Sequence, residues 1–286
     1  MMTGAWIRVS RNRRCPVCDH ADWCLISEDG SAAICPRVES AERVGEAGWL
    51  HRLRDSTAWE ARSRHIVLEP RPAFAEISRL AARYHEVAAR GGWLDNLSEE
   101  LGLSVESLRQ FRVGWCSQER CSTWPMYDGS GRIVGINRRF RDGSKKVVFG
   151  HRAGLYLADD MPVALSSLPL LVCEGGTDAA AGRDMGLVSV GRFSCTHGAR
   201  LLADLVRRRR PDLLVIVADA DGPGRRGAES LASALLPYVA HLKIIQPPAA
   251  HKDLRTWKRT GASSDDVRRL IESAPPRRLA VKVRQM

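Results

Sequence analysis

Residues 214–227 read LVIVADADGPGRRG, and this stretch decides how the C-terminal half of the chain is interpreted. The apolar run LVIV is typical of a buried strand, and Asp219 and Asp221 follow it almost at once. The glycines and the proline behind the aspartates predict a tight turn, after which RRGAESLASALL has helical periodicity. Ligands and metals bind beyond the carboxyl ends of the strands in parallel α/β sheets, so two carboxylates lie where a site is expected.

The chain around this stretch alternates between short apolar runs and helical segments from about residue 168 onward. Four buried strands are predicted in LPLLVC, LVSV, LLVIVA and HLKII. Helices are predicted in TDAAAGRDMG, HGARLLADLVRRRR and RRGAESLASALLPYVA, with a further helix in SSDDVRRLIESA and a loose tail from PPRR onward. This alternation predicts an α/β fold with a parallel sheet flanked by helices.

Three strands of the predicted sheet end in acids or run toward them. The first ends in Glu174, with Asp178 close behind, and HLKII leads through QPPAAHK to Asp253. Like charges that meet at one sheet edge are unfavourable unless a cation offsets them, and carboxylate oxygens are ligands of Mg²⁺ and Mn²⁺. The sequence therefore predicts a divalent metal site formed by these three acids with Asp219 and Asp221. Capping of a helix or turn is the alternative for these carboxylates, and it is more plausible for Asp178 than for Asp219 and Asp221.

The N-terminal segment RCPVCDHADWCLISEDGSAAICPRV predicts a zinc site. Its C-x2-C-x5-C-x10-C pattern is formed by Cys15, Cys18, Cys24 and Cys35. A Cys-Pro-x-Cys turn directs two thiolates at one ion, and zinc supplies folding energy to a segment with little core. The last two cysteines are not themselves a C-x2-C pair, so His20 and His51 remain candidates for the fourth ligand.

The charge of the chain favours a polyanionic partner. There are 44 Lys and Arg against 33 Asp and Glu, a net charge of +11, and phosphate neutralisation rewards such an excess. No stretch is apolar over the ~18 residues of a membrane span, and the N-terminus lacks the apolar core of a signal peptide. We therefore expect a cytoplasmic protein without a membrane partner, in which clustered cysteines bind metal rather than form disulfides.

The middle of the chain combines helices with a basic antiparallel region. Helical periodicity begins at Ala73, and two shorter helices follow, the second with Ser104 as its N-cap. Two hairpins are then predicted around DGSG and RDGS. The second carries a cluster of cations that predicts a phosphate track, with a solvated strand face as the alternative: Arg138, Arg139, Arg141, Lys145 and Lys146. Arg225 opens the helix after Asp221, where a helix N-terminus also receives phosphate.

The acidic motifs resemble those of a known family. E-G-x-x-D after an apolar strand, followed by a second apolar strand ending in D-x-D-G, resembles the Toprim domain of primases, topoisomerases and related proteins over about 168–260. In that family the glutamate is proposed as general acid or base and the aspartates hold Mg²⁺. The matching motifs imply catalytic roles for Glu174, Asp219 and Asp221. Asp178 matches the aspartate of the first motif, and Asp253 resembles a further acid of bacterial-type primases.

The order of segments resembles bacterial-type primases and the primase half of phage primase–helicases. GINRR (135–139) and SKKV (144–147) are similar to their Gly-x-x-x-Arg and Lys segments, which contact template and nucleotides. The resemblance covers roughly 12–54 and 100–260. The spacing of the third and fourth cysteines departs from the commonest primases, EGGTDAAA lacks a bulky residue that many carry, and no P-loop motif occurs.

The resemblance implies a primase-like nucleotidyltransferase that joins ribonucleoside triphosphates on single-stranded DNA. It implies structural Zn²⁺, catalytic Mg²⁺ or Mn²⁺, and a separate replicative helicase as a further partner. The alternatives are a non-catalytic DNA-binding protein of the recombination-mediator type and a Toprim nuclease or topoisomerase. The expected divisions are a zinc ribbon (1–54), a linker (55–72), a helical and basic part of the core (73–162), a Toprim domain (163–260) and a C-terminal helix with a basic tail (261–286).

Overall fold

The computed structural model describes residues 6–53 and 72–278 of the chain. The chain divides into two compact units, residues 1–68 and 69–286. Almost the whole of the predicted linker, 55–72, and the end of the basic tail lie outside the described residues. Within the described ranges, none of the helices is both long and apolar enough to cross a membrane.

The first unit is a small antiparallel sheet with the strand order β1-β2-β3-β5-β4. Its strands are β1 (Trp6–Arg8), β2 (Leu25–Ser27), β3 (Ala32–Cys35), β4 (Glu42–Val44) and β5 (Gly48–Arg52). Strand β3 is buried along its whole length, and Val9 and Ile26 pack with three of the cysteines into one small cluster. So few apolar side chains make a weak core, which is why a metal contributes to the stability of folds of this size.

The second unit begins with three helices that confirm the predicted helical segments. They are α1 (Phe74–Arg90), α2 (Trp93–Leu101) and α3 (Val105–Gln110). Helix α2 ends at Gly102, whose φ of 66° is a conformation that glycine adopts without strain. The Ser104 hydroxyl accepts the backbone N–H of Ser107 at 3.0 Å, which confirms the predicted N-cap of α3.

A single mixed sheet of nine strands forms the centre of the second unit, in the order β14-β13-β11-β12-β10-β7-β8-β9 with β6 paired to β7. Its strands are β6 (Gly114–Cys116), β7 (Cys121–Tyr127), β8 (Ile133–Arg139), β9 (Lys145–Val147), β10 (Leu155–Tyr156), β11 (Leu170–Cys173), β12 (Val188–Arg192), β13 (Leu213–Val217) and β14 (His241–Ile245). The strands β11 to β14 are parallel, and the hairpins β7–β8 and β8–β9 are antiparallel, as the sequence predicts. Strand β10 joins the two regions because it pairs with both β7 and β12.

Helices cover both faces of the parallel strands. They are α4 (Gly176–Asp184), α5 (Ala199–Arg209), α6 (Gly222–Leu235), α7 (Leu254–Arg259) and α8 (Ser264–Ser273). Side chains alternate along each strand, so Leu171 and Val215 pack in the cluster that includes α4, α7 and α8 residues. Leu170 and Leu214 pack in the cluster that includes residues of α5 and α6. The predicted α/β class with a parallel sheet between helices is confirmed.

The sequence prediction is wrong at the start of the C-terminal tail. Pro276 forms a bridge with Lys243, and the backbone N–H of Arg277 donates to the carbonyl of Leu242 at 2.8 Å. The Arg277 guanidinium also pairs with Glu229 at 2.6 Å. These bonds extend the edge of β14, and edge pairing of this kind is not encoded in the local residue pattern that predicted a loose segment.

Candidate active site and zinc cluster

The four cysteines of the first unit converge on one point. Their Sγ atoms all lie within 4.8 Å of one another, and they are the only group of three or more ligand side chains this close among the described residues. The Sγ atoms of Cys18 and Cys24 are 3.6 Å apart, and those of Cys24 and Cys35 are 3.9 Å apart. Tetrahedral zinc with Zn–S bonds of about 2.3 Å requires sulfur separations of about 3.8 Å, so the cluster fits a structural zinc ion.

The two histidines considered as alternative ligands make other contacts. Nδ1 of His20 lies 2.7 Å from the carbonyl of Cys18, and Nε2 of His51 lies 3.0 Å from the carbonyl of Val38. Neither ring is part of the cluster, and the four side chains that converge are all thiols.

The surroundings of the thiols favour the thiolate form at Cys18, whereas burial raises the pKa of Cys24 and Cys35. Burial acts to raise the pKa of Cys18, but the backbone hydrogen bond of His20 and the neighbouring thiols outweigh it and lower the pKa to about 6. The Arg37 guanidinium lies 3.6 Å from Sγ of Cys24 and is held by Asp22 at 2.7 Å. A fixed cation beside the cluster offsets part of the negative charge of the four thiolates.

In the second unit, two acidic segments are tied together at the carboxyl edge of the parallel strands. Asp219 and Asp221 follow β13, and Asp253 follows β14 at the N-cap of α7. The backbone N–H of Ala220 donates to the carbonyl of Lys252 at 2.7 Å, so the two segments continue the pairing of their strands. A Cβ atom at Gly224 would lie 2.7 Å from the Cβ of Asp219, which explains why the turn after the aspartates carries glycine.

The third acidic segment follows β11, the neighbour of β13. Glu174 is half-buried at the end of the strand, and Asp178 lies in the first turn of α4 with only 8% of its surface exposed. An oxygen of Asp178 accepts the backbone N–H of Arg255 at 3.1 Å. Burial, and then the charge of Asp253, raise the pKa of Asp178 to about 6.

Asp219 lies among the other four acids. Burial, and then the charges of Asp178, Glu174, Asp253 and Asp221 in that order, raise its pKa to about 7. We refer to these five residues as the acidic centre. A carboxylate whose charge is this unfavourable is expected to gain from a divalent cation, because the cation offsets the mutual repulsion.

The spacing within the acidic centre limits the kind of ion it fits. One oxygen of Asp221 caps α6 through the N–H of Gly224 at 2.7 Å, and one oxygen of Asp253 caps α7 through the N–H of Thr256 at 2.7 Å. Among the described residues, no three carboxylate oxygens approach one another as closely as the four thiols do. Carboxylate oxygens are the ligands that Mg²⁺ and Mn²⁺ prefer, and at this spacing waters would complete the coordination of such an ion.

The basic hairpin β8–β9 presents its cations on two faces. Arg139 lies opposite Lys145, and Arg138 lies opposite Lys146, so the two pairs point to opposite sides of the sheet. Arg138 pairs with Glu119, and the Lys146 ammonium lies 5.4 Å from the ring centre of Phe140.

The pair Arg139 and Lys145 lies within electrostatic reach of the acidic centre. Desolvation and the charge of Arg139 lower the pKa of Lys145, while Asp178, Glu174 and Asp219 oppose that shift. Burial, and then Arg255, lower the pKa of Arg139, while Asp178 opposes. Lys145 is accessible to solvent, so its charge is available to a ligand. Arg225, the remaining predicted phosphate contact, is exposed in the first turn of α6.

Several solved structures with a similar fold are those of primases. A structure of the Aquifex aeolicus primase that contains its zinc-binding and RNA polymerase domains aligns with a TM-score of 0.59 and 17% identity, over 92% of this chain and 78% of that chain. The E. coli primase catalytic core aligns with a TM-score of 0.57 and 19% identity, over 71% and 80% of the two chains. The chain has the fold of a bacterial-type primase.

A third structure with the primase fold is the DnaG primase catalytic domain bound to single-stranded DNA. It aligns with a TM-score of 0.55 and 19% identity, over 71% of this chain and 81% of that chain. No protein-family model matches the sequence, and no curated protein sequence matches it either.

Within this primase fold, two arginines near the acidic centre were missed by sequence reasoning. Arg255 binds Asp178 through its backbone, and its guanidinium donates to the carbonyl of Leu101 at 3.3 Å. Arg192 ends β12 beside Glu174 and is almost fully buried. The only available signal for Arg192 was a charged residue two positions after the predicted strand LVSV, at the edge where three other strands carry acids.

Proposed function

We propose that this protein is a metal-dependent primase that synthesises short RNA on single-stranded DNA from ribonucleoside triphosphates. The observation that carries the proposal is the acidic centre, in which burial and then the charges of four further carboxylates at one sheet edge raise the pKa of Asp219 to about 7. Arg139 and Lys145 supply positive charge next to these carboxylates, which is the combination that binding of a metal–triphosphate requires. The primase fold of the chain and the solved relative bound to single-stranded DNA support the same assignment.

The residues of the acidic centre would have different roles in nucleotidyl transfer. Asp219, Asp221 and Asp253 would hold Mg²⁺ or Mn²⁺ with Asp178, and the metal would activate the primer 3′-hydroxyl and offset charge on the triphosphate. Glu174, half-buried beside them, would accept the proton of the 3′-hydroxyl or contact the metal.

The basic residues would bind phosphate. Arg139 and Lys145 would orient the triphosphate or the template backbone, because guanidinium and ammonium donors pair with phosphate oxygens. Arg225 would receive phosphate together with the N-terminus of α6. The zinc unit would help to hold or select template, and a separate replicative helicase is a further predicted partner.

A priming assay tests the proposal. The protein is incubated with single-stranded DNA, the four ribonucleoside triphosphates and Mg²⁺ or Mn²⁺, and labelled RNA is separated by length. We expect short RNA that requires both template and divalent metal. Binding of single-stranded DNA without any RNA product would favour the recombination-mediator type of protein, and metal-dependent cleavage of the DNA would favour a nuclease. Either of these outcomes would contradict the proposal.

A further inference from the structure

Arg192 brings a buried positive charge to the edge of the sheet where the acids lie. The parallel register of β11 and β12 pairs Cys173 with Gly191, so the next residues, Glu174 and Arg192, lie side by side on the same face. A Cβ atom at Gly191 would lie 2.5 Å from the carbonyl oxygen of Gly175, which shows how closely the two strand ends approach. Only 3% of the surface of Arg192 is exposed.

The guanidinium of Arg192 is anchored at one corner and unpaired at another. Its Nη1 donates to the carbonyl of Cys195 at 2.9 Å. Its Nε is buried and has no hydrogen-bond partner. Over residues 6–53 and 72–278, no carboxylate lies within 4.0 Å of any of its nitrogens.

Arg192 lies close enough to the acidic centre to interact electrostatically with two of its carboxylates. Burial lowers the pKa of Arg192, and the charges of Glu174 and Asp219 are among the groups that oppose the shift. Both carboxylates therefore attract the guanidinium without contacting it. An arginine that served only as a counter-ion would be expected to contact a carboxylate directly, because charge-assisted hydrogen bonds are the strong ones.

We propose that Arg192 binds the triphosphate of the nucleotide at the acidic centre, through the side of the guanidinium that carries Nε. That side is the one left without a partner, and guanidinium donors match pairs of phosphate oxygens in a fixed geometry. Arg138, Arg183 and Arg255 also carry a buried Nε without a partner, so the free Nε of Arg192 supports a ligand contact only together with the position of Arg192 beside Glu174 at the acidic edge of the sheet. This inference rests on the proposed function in so far as it takes the phosphate source to be a ribonucleoside triphosphate.

The test compares Arg192→Gln and Arg192→Lys with the unaltered protein. The probe is α,β-methylene-ATP with Mg²⁺, whose bridging carbon prevents transfer, and its dissociation constant is measured by calorimetry. We expect Arg192→Gln to weaken binding about tenfold or more, and Arg192→Lys to recover only part of the loss, because lysine lacks the two-donor geometry. The Mg²⁺ concentration that gives half-maximal binding should change little.

Arg183→Gln is the matched control. Arg183 also has a buried Nε without a partner, but its guanidinium pairs with Asp160 near the end of α4. Its substitution should leave the affinity for the analogue within about twofold of the original, since no phosphate contact is assigned to it.

The outcomes separate this inference from the proposed function. Unchanged affinity in a folded Arg192→Gln protein overturns the inference, as does full affinity in Arg192→Lys if the glutamine variant does not fold. Binding that depends on Arg192 in a protein that makes no RNA would refute the primase proposal and leave the phosphate site intact. If the original protein makes RNA but the Arg192 substitutions do not change analogue binding, the primase proposal stands and the phosphate-binding role of Arg192 is refuted.

Discussion

The backbone N–H of Ala220 and the carbonyl of Lys252 are joined by a 2.7 Å hydrogen bond between two acidic segments. Ala220 separates Asp219 from Asp221, and Lys252 immediately precedes Asp253. This bond extends the parallel pairing of β13 and β14 past the strand ends, so the backbone rather than the side chains fixes the spacing of these carboxylates. A site preorganised in this way does not require the acids to find one another when a metal binds.

The raised pKa of Asp219 predicts how the metal-free protein responds to pH. The folded state holds this proton more strongly than the unfolded state, whose aspartates titrate near 3.8, so the contribution of Asp219 is most favourable below about pH 4. It is lost as the pH rises through about 7. At pH 8 without added Mg²⁺, Asp219→Asn should therefore raise the free energy of unfolding by about 1–2 kcal/mol, after allowance for partial exposure, and so raise the unfolding temperature.

Thermal unfolding between pH 4 and pH 8 measures this effect. The difference between the two proteins should grow with pH, and added Mg²⁺ should stabilise the original protein at pH 8 more than it stabilises the Asp219→Asn protein. A difference in stability that does not depend on pH would show that Asp219 is not the strained group.

The cysteine cluster predicts which substitutions remove zinc. Cys24→Ser should reduce the bound zinc, measured by elemental analysis, from about one ion per chain to little, and should leave residues 1–54 sensitive to protease. His20→Ala and His51→Ala should retain the metal because their rings contact backbone carbonyls. Cys195→Ser is the matched control outside the cluster. Loss of zinc in either histidine variant would contradict the four-cysteine assignment.

The two faces of the basic hairpin predict unequal effects on substrate binding. Arg139→Gln or Lys145→Gln should raise the KM for nucleotide or the Kd for single-stranded DNA about tenfold, which corresponds to the loss of one phosphate contact. Lys146→Gln removes the same charge from the opposite face and should change either value less than about twofold. Equal effects of the Lys145 and Lys146 substitutions would indicate that only net charge matters.

A buried ion pair outside the acidic centre is expected to stabilise the fold and to have no role in catalysis. The Asp184 carboxylate accepts bonds from Lys258 at 2.7 Å and from the backbone and hydroxyl of Ser104 at 2.8 and 2.6 Å. Its side chain is only 3% exposed, so Asp184→Ala should lower the free energy of unfolding by about 3 kcal/mol, because Lys258 and Ser104 both lose the carboxylate to which they donate.

Denaturant unfolding measures that cost, with Asp265→Ala as the control. Asp265 pairs with Arg268 at the surface, and such pairs contribute about 0–1 kcal/mol. A loss of similar size in the two variants would mean that the Asp184 pair is solvated.

The elements that could be predicted from the sequence are those with a local pattern. The four parallel strands are apolar runs, and α6 and α8 have clear helical periodicity after a turn or an N-cap. Strand β10 has only two residues, too few for a period to show, although it joins the two parts of the sheet. Its pairing with β7 and β12 is settled by tertiary contacts, so this strand was not predictable.

The same distinction applies to the candidate site. The sequence brought Glu174, Asp219 and Asp253 to one edge because the carboxyl ends of parallel strands coincide. It did not separate Arg138 from Arg139, because that requires the register of β8 and β9. Arg192 was missed because its place beside Glu174 follows from the pairing of Cys173 with Gly191, which no motif encodes.

The central claim, that the acidic centre catalyses template-directed nucleotidyl transfer, is tested most directly by one comparison. Incorporation of labelled ribonucleotide into RNA on single-stranded DNA is measured for the original protein and for Asp219→Asn, at DNA concentrations where both are equally bound. The account predicts template-dependent RNA from the original protein and a loss of at least about 100-fold in the variant. Synthesis at an undiminished rate by the Asp219→Asn protein would contradict it.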